Sequence, residues 1–213
     1  MDGYRKLGYT GGGAGTNPAC NRFGYGFVQG ADAAAKALGL EAGSVVVKYS
    51  YQHGANFSAS PELQAQINGW YSGGTEVVFA CGGSMFESVK SAAEANAGAK
   101  IIGVDVDQSY ASDLVITSAV KGLKESVAIV LAQYYAGKWD AELSGKTQNL
   151  GAADDATGLP IETSRFTTFT ADQYNTLFGQ IKSGTVAPKA EVPTDANNAE
   201  WLTGFEYIVI DFE

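Results

Sequence analysis

Short β-branched and apolar runs alternate with longer amphipathic segments through the first 121 residues. RKLGYTG (5–11) predicts a strand, followed by a helix over 17–40, where Pro18 suits the first turn and Phe23, Phe27 and Ala31 recur at helical spacing. SVVVKYSYQ (44–52) is β-branched and aromatic and predicts a second strand. The next helix opens with Ser60 as cap and Pro61 in its first turn, presents Leu63, Ile67 and Trp70 or Tyr71 on one face, and ends at Gly73-Gly74. TEVVFAC (75–81) predicts a strand. Ser84 and Glu87 have the spacing of a capping box for a helix whose stripe is Phe86, Val89 and Ala93. KIIGVD (100–105) and DLVITS (113–118) predict two more strands.

Strands separated by helices in this way predict an α/β fold, a doubly wound parallel sheet with helices on both faces. Ligands of such sheets sit beyond the carboxyl ends of the strands. Those ends carry TGGGAGTN, YQHG, ACGGS and GVDVD. Beyond Lys121 the pattern changes. Residues 120–139 predict one long helix with Val120, Leu123, Val127 and Val130 or Leu131 turned inward. Polar, Gly-rich loops follow, then a helix over 170–184 boxed by Thr170 and Gln173, an extended linker over 186–200, and a last strand within 201–213.

Composition narrows the chemistry. The chain has 213 residues, and 14 Lys and Arg against 23 Asp and Glu give a net charge of −9. Neither nucleic acid nor an anionic membrane attracts such a chain. His53 is the single histidine, and Cys20 and Cys81 lie in no metal-ligand spacing, so no metal and no cofactor is expected. The two cysteines follow predicted strands, and either a disulfide or two separate thiols suits them. GGGAG after the first strand fits dinucleotide binding poorly: Thr16 stands where a third Gly or Ala belongs, and the second strand ends in Gln52-His53 instead of an acidic residue. No phosphate-cradling GxxxxGK[ST] and no G-x-S-x-G occurs, and His53 has no evident serine partner, so no enzyme is expected.

Binding fits better. Gly82 and Gly83 bare the backbone N–H groups that open the following helix. Asp105 ends its strand with a carboxylate able to accept from two vicinal hydroxyls. Lys121 follows VITS where it can reach the same cleft. Asp107 suits a turn, Ser84 a helix cap, Phe86 either the core or a stacking ring, and Tyr9, Phe23 and Phe79 the core.

RFGYGFVQGA, GWYSGGTEVVFACGGS, IIGVDVDQS, VITSAVKGL and GLPIETSRFTTFTADQYNTLF together resemble the basic membrane protein family, the substrate-binding lipoproteins of nucleoside ABC transporters. The resemblance implies a two-lobed type I periplasmic-binding fold that closes on its ligand like a hinge. It implies Asp105 as the holder of the ribose hydroxyls, Lys121 as its companion, and Gly82-Gly83 as the loop beside the sugar. Ser84-Met85-Phe86 departs from the family's small, glycine-rich continuation and is expected to reshape the pocket. On this reading 1–121 forms one ligand-binding lobe, and 122–213 supplies a hinge-crossing helix, part of the other lobe and the C-terminal segment. The family's signal, acylated cysteine and first half-lobe have no counterpart here, so a fragment holding half a cleft is expected, with exposed apolar surface satisfied by homo-oligomerisation or by a rearranged fold. The expected partners are a nucleoside, preferably a purine nucleoside, and an ABC permease. The parent protein is expected outside the cytoplasm as a surface lipoprotein. The alternative is a simple-sugar (pentose) receptor or a sensory domain of the same fold.

Overall fold

The computed structural model describes residues 2–213. Seven strands form one sheet in the order β6-β5-β4-β3-β1-β2-β7. They are β1 (Lys6–Gly11), β2 (Val45–Ser50), β3 (Val77–Cys81), β4 (Lys100–Asp105), β5 (Val115–Lys121), β6 (Thr157–Gly158) and β7 (Ile208–Phe212). All neighbours pair in parallel except β6, which runs antiparallel to β5. The chain leaves β1 toward β2 on one side and leaves β3 toward β4 on the other. The β1–β3 boundary is therefore the topological switch point, the crevice where ligands bind in open sheets.

Three helices cover the sheet. α1 (Pro18–Ala37) starts where Asn17 Oδ1 accepts from the amides of Ala19 and Cys20, with Pro18 next in line. It packs Val28 and Ala35 on Tyr9, Val47, Tyr49, Phe79 and Val104. α2 (Pro61–Ser72), capped by the Ser60 hydroxyl, and α3 (Met85–Glu94) cover the opposite face, where Leu63, Ile67, Trp70, Phe86 and Val89 close over Val78, Ala80 and Ile101. Alternate strand residues thus serve two cores, the reason β3 is buried at every position. At a nominal 25 cal/mol per Å², a fully buried Phe or Leu in either core contributes about 2 kcal/mol relative to exposure.

α4 (Leu123–Tyr135) and α5 (Ala171–Lys182) differ, for neither has a buried residue. α4 leans on a π-helical turn over Trp139–Leu143, and Leu123, Val127 and Leu131, expected to face inward, are exposed. The helix starts at Leu123 because Val120 and Lys121 still belong to β5, where Val120 pairs with Gly158 and Lys121 with Thr157. The expected exposed apolar surface is present, a stripe from Leu123 to Tyr135. The segment after β6 returns along β5: Arg165 donates its amide to Ile116 O and its guanidinium to Val115 O.

The extended linker is less detached than its composition suggests. Ala196 is fully buried, its amide donates to Gly15 O, and the Asn21 carboxamide donates to Gly15 O at 2.8 Å. The chain then closes the far edge of the sheet through β7. There the Glu213 carboxylate accepts from Lys48 Nζ at 2.5 Å and from Trp70 Nε1 at 2.9 Å.

Candidate functional site

Because β1 to β5 are parallel, their five carboxyl ends share one edge, as the alternation predicts. At the switch point, Gly12 N donates to Cys81 O at 2.9 Å, and Gly13 N donates to Gly54 O at 2.9 Å. These bonds draw the three loops after β1, β2 and β3 into a floor of backbone. A methyl group on Gly12 would stand 2.2 Å from the Phe57 ring, and one on Gly83, whose φ is +42°, 2.8 Å from Phe57 O. The floor is therefore built around Phe57, which itself holds a φ of +56°.

Asp105 and Lys121 come together as expected from adjacent strand ends. Lys121 Nζ lies 2.5 Å from Asp105 Oδ1 and 5.5 Å from the centre of the Phe23 ring. The two side chains are 36% and 42% exposed, so the pair adds little to stability and stays open to a ligand. Asp105 Oδ1 is nevertheless shielded from solvent and receives no hydrogen bond of good geometry. The backbone supplies the reason for its placement. Val106 N donates to Val104 O at 2.8 Å across Asp105, whose φ is +70°. Asp105 is thus the apex of a three-residue turn, a rare and strained conformation.

Gln108 secures that turn. Its Oε1 accepts from Val104 N at 2.8 Å, and its amide donates to Ser118 Oγ on β5 at 3.0 Å. Sequence reading passes over Gln108, although its place after GVDVD is the signal. Asp107 has the turn role expected of it: Oδ1 accepts from Ser109 N, and Oδ2 from the Thr163 hydroxyl at 2.6 Å.

Two other candidates are placed differently. Phe86, offered as a stacking ring, lies 2% exposed in the core under α2 and α3, because its helix turns it inward one position after Met85. Ser84 stands before α3 but makes no capping bond; its hydroxyl accepts from Ala59 N and donates to Phe57 O, fastening the β2 loop. Gly82 and Gly83 do lie at the edge. The ring that sits there is Phe57, in a loop without periodicity to announce it. Tyr9 and Phe79 are core, and Phe23 is half-buried beneath Lys121.

Cys20 and Cys81 are free and buried immediately behind the floor. Among the described residues no cluster of His, Cys, Asp and Glu suits a metal ion, and no helix is long and apolar enough to cross a membrane. An open groove of about 250 Å³ lies at the opposite, amino edge of the strands, between α1 and Phe166 and Phe169.

A doubly wound sheet with a carboxylate, an ammonium and an aromatic ring on its glycine-rich carboxyl edge has the place and the groups to bind a small solute. The chain is similar in fold to two of known structure. One, an ABC transporter solute-binding protein from Aeropyrum pernix K1, matches with a TM-score of 0.61 and 21% identity over 84% of this chain and 56% of that one. The other, from Conexibacter woesei, matches with a TM-score of 0.59 and 20% identity over 90% and 58%. These place the chain in the type I periplasmic-binding fold. The model of the Bmp family, described as ABC transporter substrate-binding protein PnrA-like, matches residues 4–186, and the chain belongs to that family. Basic membrane protein B of Borreliella burgdorferi is 29% identical over 159 residues, 73% of this chain and 42% of that protein. The chain thus spans less than half the length of this relative and a little over half of the two solved structures.

Proposed function

We propose that the chain forms one wall of a nucleoside site, purine nucleosides preferred, in the solute-binding component of an ABC transporter that works outside the cytoplasm and delivers its ligand to a permease. The observation that carries this reading is the Asp105–Lys121 pair beside the Gly12, Gly82 and Gly83 floor. A carboxylate accepts from both hydroxyls of a ribose at once, and Lys121 donates to the same hydroxyl oxygens. Phe57, against the glycines, offers a ring for the base to stack on. Residues 2–121 act as the ligand-binding lobe. α4 and the π-helical turn after it lead toward a second lobe, whose closure sequesters the ligand, and the chain returns to the first lobe through β6, the 186–200 stretch and β7.

The test is calorimetric titration of the chain with a purine ribonucleoside, its 2′-deoxy analogue, the free base and free ribose. The ribonucleoside binds best, and removal of the 2′-hydroxyl or Asp105→Asn each weakens it about 10- to 100-fold, the range for a hydrogen bond to a charged group. Equal affinity for ribo- and deoxyribonucleoside, or an unaffected Asp105→Asn, overturns the ribose assignment. Free pentose as the best ligand supports the simple-sugar reading, which the same carboxylate–ammonium pair favours because both groups address the sugar.

A further inference from the structure

Cys20 and Cys81 are used by nothing in the site described, yet they are placed to act on it. Cys81 ends β3 and precedes Gly82, while Cys20 lies in the first turn of α1, one turn before Phe23. The Cys20 thiol donates to Cys81 O at 3.6 Å, which sets the side chain of one cysteine against the backbone of the other. Both elements are held from outside the pair. Tyr9 OH donates to Cys20 O at 2.6 Å, and Gly12 N donates to Cys81 O at 2.9 Å. A thiol seated against the carbonyl of the second cysteine brings two separate elements near enough for the pair to be a disulfide candidate.

We propose that Cys20 and Cys81 form an intramolecular disulfide by exchange with a low-molecular-weight disulfide, and that the bond fixes the Gly82–Gly83 turn. The Cys20 thiolate attacks the external disulfide and releases one thiolate. The Cys81 thiol then gives up its proton and displaces the second from Cys20 Sγ. The two protein thiols are oxidised, one external disulfide is reduced to two thiols, and the balance closes. The pair is asymmetric in the required sense. The bond from Cys81 outweighs burial and, with the Gly12 amide and the Lys121 ammonium, holds the Cys20 thiol below its ordinary value. Burial pushes Cys81 well above its own, which suits a resolving rather than an attacking thiol. Both thiols are nearly closed to solvent, so exchange proceeds during folding or while the loops are open.

Locking the turn is independent of the identity of the ligand. The chain is exposed to glutathione disulfide, both folded and during refolding from denaturant, and then digested with trypsin after the remaining thiols are alkylated. The expected product joins peptide 7–22 to peptide 49–90, is lost in Cys20→Ser and in Cys81→Ser, and melts roughly 5–10 °C higher than the reduced chain. Amide exchange at Gly82 and Gly83 slows at least about tenfold. Full alkylation of both cysteines under both conditions, or glutathione adducts alone, overturns the disulfide. A disulfide that leaves exchange at Gly82 and Gly83 unchanged overturns the lock, whether or not a nucleoside binds.

Discussion

α3 and α4 carry the same apolar signal and meet opposite fates. Phe86, Val89 and Ala93 recur along one at helical spacing, as Leu123, Val127 and Leu131 do along the other. α3 buries its stripe against α2 and the sheet, whereas the stripe of α4 lies in solvent. Periodicity states which face of a helix is to be covered and is silent about what covers it. α3 finds its cover within a β-α-β unit, where the strands on either side dictate where the helix lies. α4 follows β5, the next strand is the two-residue antiparallel β6, and the later parallel strand β7 joins the far edge beside β2, so no neighbouring strand pulls α4 back onto the sheet. Intrinsic helix preference alone leaves a helix of this length marginal in water.

The widest separation between the two helices is expected in native-state amide exchange. Amides in the middle of α3 should open only with the whole fold, and those of α4 at least about a thousandfold more readily, a gap of roughly 4 kcal/mol. Equal protection would break the comparison. Truncation comes next: Phe86→Ala should cost about 3–5 kcal/mol in denaturant unfolding, and Leu131→Ala about 0.5 kcal/mol or less. A large loss at Leu131 would mean that its stripe is covered in solution, and sedimentation would then identify a second copy as the cover.

A smaller effect is expected where the 156–169 segment is tied to β5. Arg165 donates to Val115 O and Ser109 O and pairs with the exposed Asp113. Arg165→Ala should cost about 1–2 kcal/mol and should speed exchange around α5 while leaving α3 as it was. The smallest is a pH effect on the same attachment. Burial alone would raise the carboxyl of Asp107, but the hydrogen bonds from Thr163 and Ser109 outweigh it and leave the group below its ordinary value. Asp2 behaves likewise, its burial outweighed by bonds from Thr168, Thr167 and Phe169. A lowered folded-state pKa contributes stability above the unfolded value, near 3.9, that is lost as pH falls through the folded one. Between about pH 5 and pH 2, proteolysis should therefore begin within 156–186 before it reaches α3. Simultaneous cleavage of both regions would show that these carboxylates do not hold the segment.

The sheet is legible in the sequence because β1 to β5 are short apolar runs bounded by caps and glycines, and parallel strands put their ends on one edge. Asp105 and Lys121 follow from that geometry together with the family resemblance, since each ends a strand. The remainder depends on contacts between distant residues. β7 pairs with β2 across some 160 positions, and no local pattern assigns it to that edge. Phe57 occupies a loop in a backbone conformation that propensity disfavours for an aromatic residue, held there by glycines in two other loops. Ser84 carries the signature of a cap, but Ala59 and Phe57 compete for its hydroxyl and win.

The turn at Asp105 sets two demands on one residue against each other. Glycine adopts a φ of +70° without strain, so Asp105→Gly should relieve backbone energy of the order of 1 kcal/mol while deleting the carboxylate that faces Lys121. A selection for thermal stability alone would drift toward glycine at this position, and a selection for ligand uptake would hold the aspartate. Position 105 is thus where an evolution experiment can tell the two pressures apart by the residue it retains.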